Sequence, residues 1–243
     1  MAQRTAQHIP GHVLSAFQLD GRAGIPVGPE WDNGVRFGRV VVSEASDTAA
    51  WSGKARDHAG EFGAGIAVSR PVRATDGRLV VGGFKASEFV EGRVLARIDE
   101  AVSAALRYDE AMAGVDAPTA DRGDAFATAE RAVWRDYTPQ PGDVVAHMDF
   151  ASCLLFSGDM VPTLTDLVPS SSKRPRGFTA ALVIVDGLLA QACDVAVLDR
   201  WAHVPGLREL AGHALEYRVA CARAAGSDIR SIAEGIDQAL VSE

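Results

Sequence analysis

A histidine and two aspartates near the middle of the chain are the residues whose types and spacing could do chemistry. The stretch from Val144 to Phe156 reads VVAHMDFASCLLF, so His147 and Asp149 stand between two apolar runs. Asp166 ends the next β-like run. Two carboxylates that converge at a turn suit a divalent metal ion, or one general base and one metal ligand. Aspartate is also common at turns, so the same acids could be ordinary turn and cap residues.

The elements that must position these side chains fall into two contrasting parts of the chain. Before residue 92, turn signals alternate with short apolar runs, and Asp76-Gly77 predicts a hairpin between residues 66–72 and 78–81. The runs at 153–156 and 163–166 are predicted to pair as well. After residue 92 the apolar spacing becomes helical. It predicts helices over residues 98–112, 125–134, 179–192, 207–224 and 228–240, and an earlier helix over residues 47–59.

This order of elements predicts a bilobal α+β fold. We expect a small β-rich N-terminal lobe over residues 1–84, a hinge over residues 85–92, and a mainly helical C-terminal lobe over residues 93–243. The lobe boundaries follow the point at which the pattern changes from alternating to helical.

The composition is that of a globular chain. Of 243 residues, 47% are hydrophobic and 23% are charged, and the formal net charge is -8. The acidic balance argues against a nucleic-acid partner. The three cysteines show no metal or disulfide spacing, which suits a reducing cytoplasm. The first ten residues lack the apolar core of a signal peptide, and no membrane span is predicted.

The central motif resembles the protein-kinase-like fold, and specifically the aminoglycoside-phosphotransferase superfamily. The resemblance rests on His147-Met148-Asp149-Phe150, the apolar strand that follows, and Leu164-Thr165-Asp166-Leu167. Further stretches, in the same order as in that fold, are similar to an uncharacterised actinobacterial family of kinase-like proteins. They are residues 35–42 with 49–51, residues 70–84, residues 89–92 and residues 185–189.

The resemblance implies a role for each residue of the motif. Asp149 would be the catalytic base that accepts the proton of a substrate hydroxyl, and Asp166 would be the Mg²⁺ ligand. His147 would brace the catalytic loop, and Asp186 would brace it from below. Nucleotide would bind beneath the hinge at residues 85–92. ATP and Mg²⁺ are therefore the cofactors of an active member.

Three positions depart from the family pattern. The strand that should carry a phosphate-binding lysine reads Val41-Val42-Ser43-Glu44, and Lys54 in the following helix is the nearest substitute. Cys153 occupies the position expected for a metal-binding asparagine, and a thiol is a poor ligand for Mg²⁺. The stretch from Gly28 to Gly34, where a phosphate-covering loop is expected, contains a proline and two acids. We interpret it as a degraded phosphate loop.

These departures favour a degenerate kinase-like protein, a pseudokinase that serves as a binding or scaffold domain. Its nucleotide binding would be weak or absent, and its partner would be a small molecule or a protein. The alternative is an active ATP-dependent phosphotransferase that acts on a small hydroxylated molecule, with Asp149 as base and Asp166 as Mg²⁺ ligand. A third hypothesis is an interaction protein with an unrelated α+β fold.

Overall fold

The computed structural model describes residues 8–58, 65–120 and 122–241. The chain divides into two units. The first comprises the residues up to Val94 together with Ser152–Leu167, and the second comprises Leu95–Ala151 and the residues from Val168 onward. Strands dominate the first unit and helices the second.

The described residues form the following strands: β1 (Ile25–Pro26), β2 (Val35–Phe37), β3 (Val40–Glu44), β4 (Ala67–Val68), β5 (Pro71–Val72), β6 (Val80–Val81), β7 (Phe84–Glu88), β8 (Leu154–Leu155) and β9 (Thr163–Leu164). Their helices are α1 (Gly11–Ala16), α2 (Ala49–His58), α3 (Ile98–Ala111), α4 (Ala125–Val133), α5 (Phe150–Cys153), α6 (Phe178–Leu189), α7 (Ala196–Arg200), α8 (Leu207–Ala224) and α9 (Arg230–Val241). A short 3₁₀ helix covers Pro29–Trp31.

An antiparallel sheet organises the first unit. Its strand order is β1-β2-β3-β7-β5, and β6 also pairs with β7. β1 pairs with β2, and β2 pairs with β3, both antiparallel. Val13 and Phe17 at α1 lie in one apolar cluster with Phe37 and Val42 of the sheet. The register of β3 against β7 matters for the site, because it pairs Ser43 with Lys85.

Two local predictions are corrected by the structure. The Asp76-Gly77 turn forms, but β5 and β6 each pair with β7 and not with each other. The connection between them is too long for the two-residue hairpin that the motif favours. Cys153 ends a helical turn, and the predicted strand begins after it. Residues 85–88 lie in β7, and the hinge over residues 85–92 stays a prediction.

The second unit is built around α6, an apolar helix that is buried on nearly every side. Helices α3 and α8 both pack against it. Gly187 permits the close approach of α3, since a Cβ there would lie 2.9 Å from Ile98 Cδ1. The predicted bounds of α8 are confirmed at both ends, and those of α3 within one residue. Residue 59, the predicted end of α2, lies outside the described residues.

In the parts of the chain that the structure describes, no helix is both long and apolar enough to cross a membrane.

Candidate functional site

Asp166 of the first unit lies just beyond β9 and is surrounded by polar side chains of its own unit. Ser52, on α2, donates a hydrogen bond to one carboxylate oxygen, and the N–H of Leu167 donates to the same oxygen at 2.8 Å. Arg56, one turn further along α2, lies 3.6 Å from that oxygen. The other oxygen forms an ion pair with the ammonium group of Lys85. Both oxygens of the predicted metal ligand are therefore engaged by this chain's own side chains.

Lys85 is the site residue that the sequence reasoning missed. It stands on β7 directly opposite Ser43 of β3, the residue found where the lysine was expected. Its side chain is 7% exposed and also pairs with Asp32, whose carboxylate lies 2.9 Å from Nζ. Lys54, the substitute considered from sequence, is exposed on α2.

A sequence signal for Lys85 did exist. It stands between Phe84 and Ala86 in a short strand. Because a lysine in a buried strand requires a partner, its presence there indicates an ion pair.

Lys85, Asp166, Asp32 and Arg56 form a cluster of charged groups that stabilise one another. Burial alone would lower the pKa of Lys85, but the carboxylates of Asp166 and Asp32 outweigh burial and raise that pKa above its ordinary value. Burial would likewise raise the pKa of Asp166, yet Lys85 and Arg56 hold it well below the usual range. Both groups therefore stay charged through the neutral pH range.

The loop from Gly28 to Gly34, the predicted phosphate loop, is closed on itself. The N–H groups of Trp31 and Asn33 both donate to the carbonyl of Gly28 at 3.0 Å, and the N–H of Gly34 donates to the carbonyl of Trp31 at 3.0 Å. A Cβ at Gly34 would lie 2.5 Å from the carbonyl oxygen of Val42, so this glycine permits the loop to pack on β3. These N–H groups are used within the loop.

The indole of Trp31 is buried in the same unit. It forms a small apolar cluster with Val41 and Leu155, and Val27, Phe89 and Val90 pack against that cluster. Trp31 and Phe89 have ring centroids 5.5 Å apart and planes inclined by 31°. Trp31, Asp32, Lys85 and Asp166 are among the residues around a cavity of about 10 Å³, which has room for about one water molecule.

In the second unit, His147 is buried and lies at the centre of a hydrogen-bonded turn. Its backbone N–H donates to the hydroxyl of Thr179 at 3.1 Å. Its ring nitrogens lie 3.2 Å from the N–H of Asp149 and 3.3 Å from the N–H of Val168. The rings of Tyr108 and Phe150 contact it edge-on. These contacts fix the turn that carries Asp149.

Asp109 is a second residue that the sequence reasoning missed. From α3, its carboxylate accepts from the N–H of Gly177 at 2.7 Å and from the hydroxyl of Thr179 at 2.9 Å. It therefore reaches the turn of His147 through Thr179. Complete burial raises the pKa of Asp109 to about 7. The sequence did carry a signal, since Asp109 falls on the apolar stripe of Val102, Ala105 and Met112.

Asp149 itself is 48% exposed, and its neighbour is Arg218 of α8, at 3.9 Å. Arg218 forms a two-point ion pair with Asp186 of α6, with both nitrogen–oxygen distances at 2.6 Å. Burial raises the pKa of Asp186, although Arg218 opposes the shift. Asp186 thus contacts the cation that lies beside Asp149.

Cys153, at the position expected for asparagine, is nearly buried in the first unit. Its carbonyl accepts from the N–H of Thr165 at 3.0 Å and from the hydroxyl of Thr165 at 3.3 Å. Within the described ranges, no group of three or more His, Cys, Asp or Glu side chains is placed to hold a metal ion. Because Lys85 already pairs with Asp166 and the thiol is a soft ligand, the residues present do not fit Mg²⁺.

The fold matches that of a solved enzyme structure. The chain is similar to the aminoglycoside phosphotransferase of Alicyclobacillus acidocaldarius subsp. acidocaldarius DSM 446, with a TM-score of 0.59 and 17% identity, over 97% of this chain and 92% of that one. The chain has the kinase-like fold of the aminoglycoside phosphotransferases. This likeness excludes an unrelated α+β fold.

A second solved structure, a thermostable mutant of aminoglycoside phosphotransferase APH(4)-Ia in its apo form, matches with a TM-score of 0.44 and 12% identity, over 93% of this chain and 99% of that one. No protein-family model and no curated protein matches the sequence. The resemblance to a narrower actinobacterial family therefore stays a prediction.

Proposed function

We propose that this chain is a degenerate phosphotransferase, a pseudokinase that acts as a binding or scaffold domain with weak or absent nucleotide binding. The observation that carries the proposal is the ion pair between Lys85 and Asp166. An internal ammonium group stands on the carboxylate that the family pattern assigns to Mg²⁺. Its partner would be a small molecule or a protein, and we expect it to act in the cytoplasm.

The size of the expected losses supports an impaired reaction. Phosphoryl transfer depends on positioning and on the charges that stabilise the transferred group. Removing one such stabiliser typically lowers the rate by about 10²- to 10³-fold. Here Cys153 stands in place of the asparagine. The lysine opposite Ser43, Lys85, is already paired with Asp166 and Asp32. Together with the paired state of Asp166, these changes leave little capacity for transfer.

The alternative function is an active ATP-dependent phosphotransferase for a small hydroxylated molecule. It is favoured by Asp149, which remains half-exposed on a turn fixed by His147. In this alternative, Asp149 is the base and Asp166 must release Lys85 before it can hold Mg²⁺.

A thermal-shift titration with ATP, with and without Mg²⁺, separates the two functions. The pseudokinase proposal expects no Mg²⁺-dependent rise in the melting temperature. A clear rise that is absent in Asp166→Ala would contradict it. Asp47→Asn, which removes an exposed acid of the same unit, is the matched control for charge.

ATP turnover measured in parallel addresses the alternative directly. An active enzyme must hydrolyse or transfer the terminal phosphate of ATP, and it must lose that activity in Asp149→Asn while its melting temperature is kept. We expect no turnover above that of Asp149→Asn.

A further inference from the structure

The segment Trp31-Asp32 places an aromatic ring and an anion side by side. The indole of Trp31 is 5% exposed, whereas the side chain of the next residue, Asp32, is 51% exposed and reaches Lys85. The two side chains come from one short segment but enter different surroundings. One fills an apolar slot, and the other satisfies a buried cation.

The apolar slot has the dimensions of a fused aromatic ring system. Trp31 fills it against Val41 and Leu155, with Phe89 beside the indole. An indole consists of a six-membered ring fused to a five-membered ring, and a purine has the same skeleton. If the indole left, a planar base would find apolar and aromatic contacts in its place.

The charged half of the cluster is balanced only while Asp32 is present. Lys85 and Arg56 supply two positive charges, and Asp166 and Asp32 supply two negative ones. Among these four ion-paired groups, removal of Asp32 leaves two cations and one carboxylate. Glu30, on the same loop as Trp31 and Asp32, also lies around the cavity. An anionic group of a ligand would restore the balance, since a buried charge requires a partner.

The backbone of this segment turns through the left-handed region. Asp32 and Asn33 have φ values of 54° and 52°, and aspartate and asparagine enter this region more readily than other residues that carry a side chain.

We propose that Trp31 and Asp32 form an internal ligand that occupies a binding site for a planar aromatic ring carrying an anionic group, with Lys85 as the cation that receives the anion. A nucleoside phosphate has this chemistry. The inference deepens the proposed function and rests on it, because it explains why nucleotide binding is weak. Since Lys85 supplies the positive charge, binding does not depend on Mg²⁺.

The test is calorimetric titration of ATP in the presence of EDTA into the wild-type chain and into Trp31→Ala/Asp32→Asn. An internal ligand reduces the fraction of molecules that can bind, so its removal raises the apparent affinity. We expect a gain of at least about tenfold, because minor states are typically populated at 10% or less. Adding Lys85→Met to the double variant should abolish the gain, and repeating the titration with Mg²⁺ should leave it unchanged.

Single variants keep the test decisive if loss of the indole prevents folding. Asp32→Asn alters a half-exposed side chain and should raise the affinity in part, while Asp47→Asn should leave it at the wild-type value. Equal affinity of Asp32→Asn and the wild type would overturn the proposal, as would a gain that persists without Lys85. These results test the internal ligand alone. The proposed function is contradicted by different results, namely ATP turnover by the wild type or stabilisation of the wild type by Mg²⁺ and ATP.

Discussion

Asp166 in the first unit and Asp149 in the second differ in what contacts their carboxylates. Asp166 is bound by Lys85, Ser52 and the N–H of Leu167, and Arg56 adds a further positive charge. Asp149 is half-exposed, and the nearby Arg218 forms its short contacts with Asp186. The acid expected to hold a metal ion is saturated, while the acid expected to accept a proton is open to solvent.

Under the proposed function, the two acids differ in how well their surroundings suit the role expected of each. A base needs one exposed carboxylate on a rigid turn, and the second unit keeps that turn rigid through His147. A metal site needs several hard oxygen donors around an open position. In the first unit, the ammonium group of Lys85 pairs with Asp166, so the loss that we propose falls on metal binding and not on the base.

Replacement of Lys85 by methionine should have the largest effect on stability. It leaves Asp166 and Asp32 without their shared cation, and breaking a buried ion pair typically costs about 3–5 kcal/mol. The free energy of unfolding should fall by that amount in urea denaturation. Lys54→Met, on an exposed face of α2, is the matched control and should change little. Equal stability of the two variants would mean that Lys85 does not hold the cluster together.

The second largest effect should be the pH dependence of the free energy of unfolding, which we expect to arise in the second unit. The folded protein holds a proton on Asp109 up to a pKa of about 7, whereas the unfolded chain releases it near the ordinary value of 3.8. Between these values the folded state binds more protons, so the free energy of unfolding falls as pH rises. The decrease between pH 5 and pH 8 should be on the order of 3 kcal/mol at most. Lys85 and Asp166 keep their charges over that range and should not contribute.

The control for that titration is Asp109→Asn. The amide can accept from the N–H of Gly177 and donate to Thr179, so it imitates the protonated acid. Its stability should be less dependent on pH than that of the wild type when both are unfolded in urea at each pH. Parallel curves for the two proteins would assign the pH dependence to other groups.

Much of the fold followed from local patterns, because helix periodicity and turn residues act over a few positions. The bounds of α8 and the turn with His147 and Asp149 were predictable for that reason. The pairing of Lys85 with Asp166 was not, since it depends on how β7 aligns with β3 and on where β9 ends. A lysine in a buried strand indicated that an ion-pair partner exists, but no local sequence pattern identified Asp166 as that partner.

The burial of single charged residues was also missed. The basic sequence Lys173-Arg174-Pro175-Arg176 is typical of a solvated loop, yet Arg174 is buried and donates to Glu130 at 2.6 Å. Arg218 lies on a helix that also carries Arg208 and Arg223, and it is largely buried against Asp186. In each case the acidic partner lies on a distant segment of the chain. Because the local sequence does not show that partner, composition alone predicts that the arginine is exposed.

Replacement of Arg218 by methionine should have a smaller effect than loss of Lys85. Asp186 would lose two hydrogen bonds to a charged group, but it keeps partial access to water. We expect a decrease of about 2 kcal/mol in the free energy of unfolding. Arg223→Met, on the exposed end of α8, is the control. A decrease as large as that of Lys85→Met would mean that the ion pair of Asp186 contributes as much to stability as the ion pair of Asp166.

The smallest expected effect, and the sharpest test of the contrast, comes from Cys153→Asn. This variant supplies the amide oxygen that the family pattern assigns to metal binding, while Lys85 still pairs with Asp166. Because the side chain is nearly buried, we expect a cost of about 1 kcal/mol from the added polar group. If the ion pair is what excludes Mg²⁺, a titration of the variant with Mg²⁺ and ATP should leave its melting temperature unchanged. Stabilisation by Mg²⁺ would mean instead that only the missing asparagine prevents Mg²⁺ binding. The ion pair with Lys85 would then not keep Asp166 from a ligand.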